Sequence, residues 1–142
     1  MKREGIWKPL LLVGALCVLS YFPLFNWIEH RRGYKGPWTV DFAIAGGHPV
    51  LLISQPALGI TNVQIAFPGV TTDTNSQRIE FSIARPVPYP VPFGQCVFQD
   101  TTFLPGTIVL EISGHEIQFM PRVLTIDKVE RGWRNGETIE VR

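Results

Sequence analysis

The chain has 142 residues, with 13 Lys and Arg against 12 Asp and Glu, and two cysteines. That length suits one apolar segment plus one domain of about 100 residues, a size that buries a core without disulfides or metals. Charge is uneven: residues 1–35 hold six basic against two acidic residues (+4) and residues 36–142 seven against ten (−3), so the globular part has no basic excess for phosphates and no nucleic-acid partner is expected.

Residues 1–9 are a short basic flank, and residues 10–28 follow as nineteen residues without a charge. As a helix that stretch would reach about 28 Å, close to the ~30 Å hydrocarbon core of a bilayer, and it reads as a transmembrane signal anchor. Pro9 suits the first helical turn, and Trp7, Tyr21 and Trp27 sit where interfacial aromatics belong. Pro23 is expected to kink or end the helix. The remaining run, Leu10–Phe22, has the length of a signal-peptide core, but Tyr21-Phe22-Pro23 makes a poor start for a mature chain, which favours a retained anchor. Three basic residues lie on each side of the span, and the terminal amine tips the orientation toward an inside N-terminus and an extracytoplasmic C-terminal domain. Cys17 reads as a small apolar residue facing lipid, since Leu16 is too large for a lipobox. Residues 29–36 form a basic juxtamembrane linker.

From residue 37 to 142 the hydrophobic period is two. Trp38, Val40, Phe42 and Ile44 alternate with polar or small residues, and the Gly46–Gly47 turn sets Ile44 opposite Pro49, Phe42 opposite Leu51 and Val40 opposite Ile53. Val63, Ile65 and Phe67 form a third strand, residues 69–77 a polar loop, and Ile79, Phe81 and Ile83 a fourth strand. A second hairpin turns at Gly114–His115, which places Ile112 across from Ile117 and Leu110 across from Phe119. Leu124 and Ile126 begin another strand, and Asn135–Gly136 turns the last, Thr138–Val141. Seven to nine short strands of this kind predict an all-β domain, a small antiparallel β-sandwich of immunoglobulin-like or jelly-roll-like type.

Between these lies a proline ladder: Pro86, Pro88, Pro90 and Pro92 alternate with Val87, Tyr89, Val91 and Phe93. Prolines two apart remove every N–H donor from one edge of a strand and none from the other, which predicts an edge strand with its outer side unfit for pairing. The alternative is an exposed docking stripe for a protein partner, anchored by Tyr89 and Phe93.

Few residues offer chemistry. His48 and His115 sit in predicted turns, and no spacing among His48, His115, Glu116 and Asp41 foretells a metal site. Cys96 is the one candidate nucleophile, for a thiol-dependent transpeptidase with His48 or His115 and Arg122. It lacks the Thr-Leu-x-Thr lead-in of a sortase, and its setting among Phe93, Val97 and Phe98 points to an inert buried thiol. Trp133, flanked by Arg131 and Arg134, is a candidate stacking platform for a carbohydrate or other ligand, or a lid on the core. The expected role is therefore a non-catalytic structural or accessory protein-interaction function in a bacterial cell envelope. The expected partners are the lipid bilayer, through the N-terminal helix, and a protein. No cofactor is expected.

Overall fold

The computed structural model describes residues 5–32 and 36–142. They form two compact units, one helical and one built of β-strands.

Helix α1 runs Trp7–Arg32. It is longer than the uncharged run because polar residues at each end still have helical neighbours to bond. It also passes through Pro23, where the sequence predicts a kink or an end. Pro23 removes one i→i−4 hydrogen bond, but Tyr21 and Phe25 stack across it at 5.6 Å, an i,i+4 pair that supports the turn. Every side chain from Gly5 to His30 is exposed within the structure.

The β-unit contains β1 (Trp38–Ala45), β2 (His48–Gln55), a 3₁₀ turn (Pro56–Leu58), β3 (Ile60–Ala66), β4 (Gln77–Phe81), β5 (Tyr89–Val91), β6 (Gly94–Asp100), β7 (Thr107–Ile112), β8 (His115–Phe119), β9 (Leu124–Ile126), β10 (Val129–Arg131) and β11 (Thr138–Glu140). One sheet has the order β11-β3-β2-β1-β4 and the other β10-β9-β8-β7-β6-β5. All pairs are antiparallel except β11 with β3. In the first sheet β4 returns to lie beside β1, the spatial order of a Greek key. The second is a six-stranded meander.

The first hairpin has the register its turn requires: Val40, Phe42 and Ile44 face Ile53, Leu51 and Pro49. The second is displaced by two from the sequence expectation. Leu110 faces Ile117 and Ile108 faces Phe119. The turn centres on Ser113–Gly114, both at positive φ (52° and 83°), one residue earlier than predicted. A displacement of two keeps each side chain on its face, so the same residues reach the core. The fourth strand ends at Phe81, which leaves Ile83 exposed.

Both sheets supply one core. From the first come Trp38, Phe42, Leu51, Ile53, Ile65 and Phe81; from the second Ile108, Leu110, Ile112, Ile117 and Phe119. Trp38 joins them. Its ring lies 5.9 Å from Phe119 and stacks on Trp133 at 5.1 Å, and its Nε1–H donates to the Gly106 carbonyl at 3.1 Å. Gln55, buried at the edge of this core, donates to the carbonyls of Gly36 (2.7 Å) and Pro37 (3.2 Å) and accepts from the Ala57 amide (2.9 Å). Gly94 and Gly106 admit no side chain, since a Cβ would stand 1.9 Å from the Glu111 carbonyl oxygen and 1.8 Å from that of Asp100.

A fragment of residues 36–142, which keeps the Gln55 partners, is expected to unfold in one cooperative thermal transition with a β-type circular dichroism spectrum. In it Trp38→Ala is expected to cost about 3–5 kcal/mol, measured by urea denaturation. A loss below about 1 kcal/mol would contradict the bridging role of Trp38.

Candidate functional site

The proline ladder lies at the outer edge of the second sheet, where β5 pairs only with β6. Only Tyr89–Val91 is strand, a shorter element than the ladder suggests, because Pro92–Phe93 forms the turn into β6. Phe93 takes φ 68° there, with Pro92 in the position that suits its fixed φ. The register pairs Val91 with Gly94 and Tyr89 with Cys96. With a two-residue turn these are the hydrogen-bonded pairs, so Tyr89 and Val91 bond inward and Pro90 presents its ring nitrogen to the open edge.

Tyr89 and Val91 turn into the core, and Phe93 packs half-buried against Phe42 at 6.2 Å. The aromatic stripe of the ladder thus points inward. The Tyr89 hydroxyl donates to the Gln99 side-chain oxygen, and the Gln99 amide donates to the Ile83 carbonyl at 2.8 Å. The Arg85 guanidinium sits 4.2 Å from the Tyr89 ring centroid, in cation–π range. Burial pushes the Tyr89 phenol well above its ordinary value.

Cys96 is fully buried beside Tyr89. Its thiol donates to the Phe98 carbonyl at 3.4 Å. Burial pushes the thiol pKa up, outweighing the lowering by Tyr89 and the Phe98 backbone, so the sulfur stays protonated at neutral pH. Neither histidine named with it is bonded to it. His48 Nδ1 donates to the Val70 carbonyl at 2.6 Å and fastens the loop after β3. His115 Nδ1 donates to Asp127 Oδ2 at 2.6 Å. Among the described residues, no three His, Cys, Asp or Glu side chains are grouped to hold a metal ion.

Trp133 is half-buried, stacked on Trp38, and its Nε1–H donates to the Met120 carbonyl at 2.8 Å. One ring face and the indole donor are therefore already engaged.

The sequence gives little warning of the clamp around Asp127. Asp127 and Lys128 form the β9–β10 turn with φ 49° and 68°, and neither is glycine. The carboxylate holds that turn: Oδ1 accepts the Glu116 amide at 3.0 Å while Oδ2 takes His115. His115, and then the Glu116 amide, hold the Asp127 carboxyl below the usual carboxylate range. Beside it lies an open groove of about 360 Å³, lined by Val97, Glu111, Gly114, Glu116, Asp127 and Lys128. Asp-Lys directly after the apolar strand Leu124–Ile126 is the only available signal, and it does not name His115 as the partner.

Comparison with protein-family models, with curated proteins and with solved structures finds no match for this chain.

In the 36–142 fragment Cys96 is expected to resist maleimide until the protein unfolds; fast labelling of the native fragment would contradict its buried, protonated state. Asp127, with its depressed pKa, contributes stability that is complete above the unfolded value of about 3.9 and lost as pH falls through the folded one. Melting temperatures across pH 2–6 are expected to show that acid-side loss, and Asp127→Asn to reduce it. Lys128→Gly is expected to stabilise by about 1 kcal/mol, since glycine meets no Cβ clash at positive φ.

Proposed function

We propose that this chain is a single-pass membrane protein whose β-unit, a small β-sandwich, stands on the extracytoplasmic side and acts as a non-catalytic structural or protein-interaction module of the cell envelope. The observation that carries the reading is α1. Trp7–His30 is long and apolar enough to cross a membrane: an 18-residue window within it has a mean hydropathy of 1.8, and no part of that window is buried. A helix that is apolar all round requires an apolar surrounding, and lipid supplies one. The helix continues through Pro23, so the uncharged run of 19 residues, 10–28, lies wholly within it and is longer than the roughly 7–15 of a signal-peptide core, which supports a retained anchor over a cleaved leader.

The sandwich reading rests on the shared core of the two sheets. Its Greek-key corner is common to both sandwich types expected from the sequence. However, the chain completes β1–β4 in one sheet before starting the other, whereas an immunoglobulin domain changes sheet more often.

The non-catalytic reading is supported by how the reactive groups are engaged: the Cys96 thiol, both β-unit histidines and the Trp133 indole all serve the fold. The loop between β3 and β4 is the surface best suited to a protein partner. It is largely exposed and polar, yet anchored by the Thr72 amide on the Gly47 carbonyl at 3.2 Å and by His48 on Val70. Rigidly held loops are where binding commonly resides.

Alkaline carbonate washing of native membranes is expected to leave the full chain in the pellet; release into the supernatant would contradict the anchor. A photoreactive residue in place of Thr74 is expected to give one discrete crosslinked product in those membranes. No adduct there would contradict the loop as the interaction surface.

A further inference from the structure

The edge strands of the two sheets are β11 and β4 in one and β10 and β5 in the other. β5 presents proline to its open side. β10 and β11 have three residues each. In β10 the two-residue turn makes Ile126 and Val129 a hydrogen-bonded pair, so Glu130 is the strand residue that bonds outward, and a second copy would set Glu130 against Glu130. β4 differs. It has five residues and pairs only with β1, and among the described residues no strand covers its outer side. The segment 69–85, which contains it, has no proline.

The bonding pattern of β4 follows from the first hairpin. Its two-residue turn makes Ala45 and His48 a hydrogen-bonded pair, so alternate residues of β1 from Thr39 to Ala45 bond to β2, while Trp38, Val40 and Phe42 bond to β4. Their partners Phe81, Ile79 and Gln77 thus bond inward. Arg78 and Glu80 are left with their main-chain N–H and C=O groups aimed at the open side. Both side chains are exposed and share the outer face of the sheet, while Ile79 and Phe81 pack on the core. Asp41 holds the Arg78 guanidinium by two hydrogen bonds, at 2.6 and 2.9 Å. Glu80 is in no ion pair among the described residues.

An antiparallel strand docking on this edge must bond to Arg78 and Glu80. If that strand is a second β4, charge selects the register. Arg78 opposite Arg78, or Glu80 opposite Glu80, sets like charges together. Arg78 opposite Glu80 sets opposite charges together on both sides of a two-fold axis through Ile79. Ile79 then faces its own copy in a non-hydrogen-bonded pair, the closer kind, with Cα atoms about 4.5 Å apart. Ser76 falls opposite Ser82 and extends the ladder. Each Arg78 stands between its own Asp41 and the copy's Glu80. We infer that β4 is a homotypic docking edge: two copies of this chain join β4 to β4, antiparallel about Ile79, and merge their five-stranded sheets into one. Charge of one sign would guard such an edge; both signs, two residues apart, make it self-complementary. The inference does not depend on α1 crossing a bilayer.

The test uses full-length chains carrying two different tags, coexpressed and extracted in mild detergent. Capture of one tag is expected to bring down the other. Arg78→Glu in both chains, or Glu80→Arg in both, is expected to reduce that recovery severalfold, and Arg78→Lys, which keeps the charge, to retain it. An Arg78→Glu chain paired with a Glu80→Arg chain has opposite charges at both contacts again and is expected to restore recovery. A second readout places Ile79→Cys in a Cys17→Ser background in native membranes. Mild oxidation there is expected to give severalfold more disulfide dimer than Val129→Cys on the β10 edge, and this readout decides where a charge-reversed chain does not fold. Absence of co-capture between parent chains would overturn the docking edge, as would recovery that the single charge reversals leave unchanged. So would reversed chains that keep the parent's thermal transition yet fail to rescue each other, or equal disulfide yields at the two cysteine positions.

Discussion

Large apolar side chains exposed along the length of a helix set the terms for this protein. Leucine, valine, phenylalanine and tryptophan project on every side of α1. Each such side chain left in water forgoes roughly 1.5–3 kcal/mol of burial. The helix satisfies its own backbone and asks only for an apolar solvent. Since it is a compact unit by itself, the β-unit must complete its core without it.

The β-unit does so by bringing two sheets onto one set of side chains, with Trp38 at the point where the chain enters. The first residue of the first strand is fully buried and touches both sheets. Gln55 holds the segment just before it by the carbonyls of Gly36 and Pro37. The fold therefore begins abruptly, with only a short stretch between helix and core. The open edge at β5 is managed by proline rather than by charge, which lets Tyr89 and Val91 stay inside while the outer edge loses donors.

Much of the fold could be read from residue patterns, and the failures have local causes. Strict alternation with Gly-Gly fixed the first hairpin to the residue, because glycine at both central positions leaves one short turn. The second hairpin slipped by two because Ser113 adopts positive φ, a choice made by tertiary pairing and not by propensity. Pro23 misled for a similar reason: the rule that proline breaks helices assumes that neighbours offer nothing in return. The β9–β10 turn was invisible because Asp127 and Lys128 are ordinary residues until His115 and the Glu116 amide meet the carboxylate from another strand. At the candidate site, burial of Cys96 followed from its aromatic neighbours. The Tyr89–Gln99–Ile83 chain of hydrogen bonds did not, since it joins residues that only the folded edge brings together.

The most direct measurement of the proposed division between a lipid-solvated helix and a self-sufficient β-unit is amide hydrogen exchange on the full chain in lipid nanodiscs, set beside the 36–142 fragment in buffer. Amides of residues 10–28 are expected to stay protected for hours in lipid, and β-unit amides to show the same protection in both samples. Rapid exchange across residues 10–28 in lipid, or collapse of β-unit protection once the helix is removed, would contradict it.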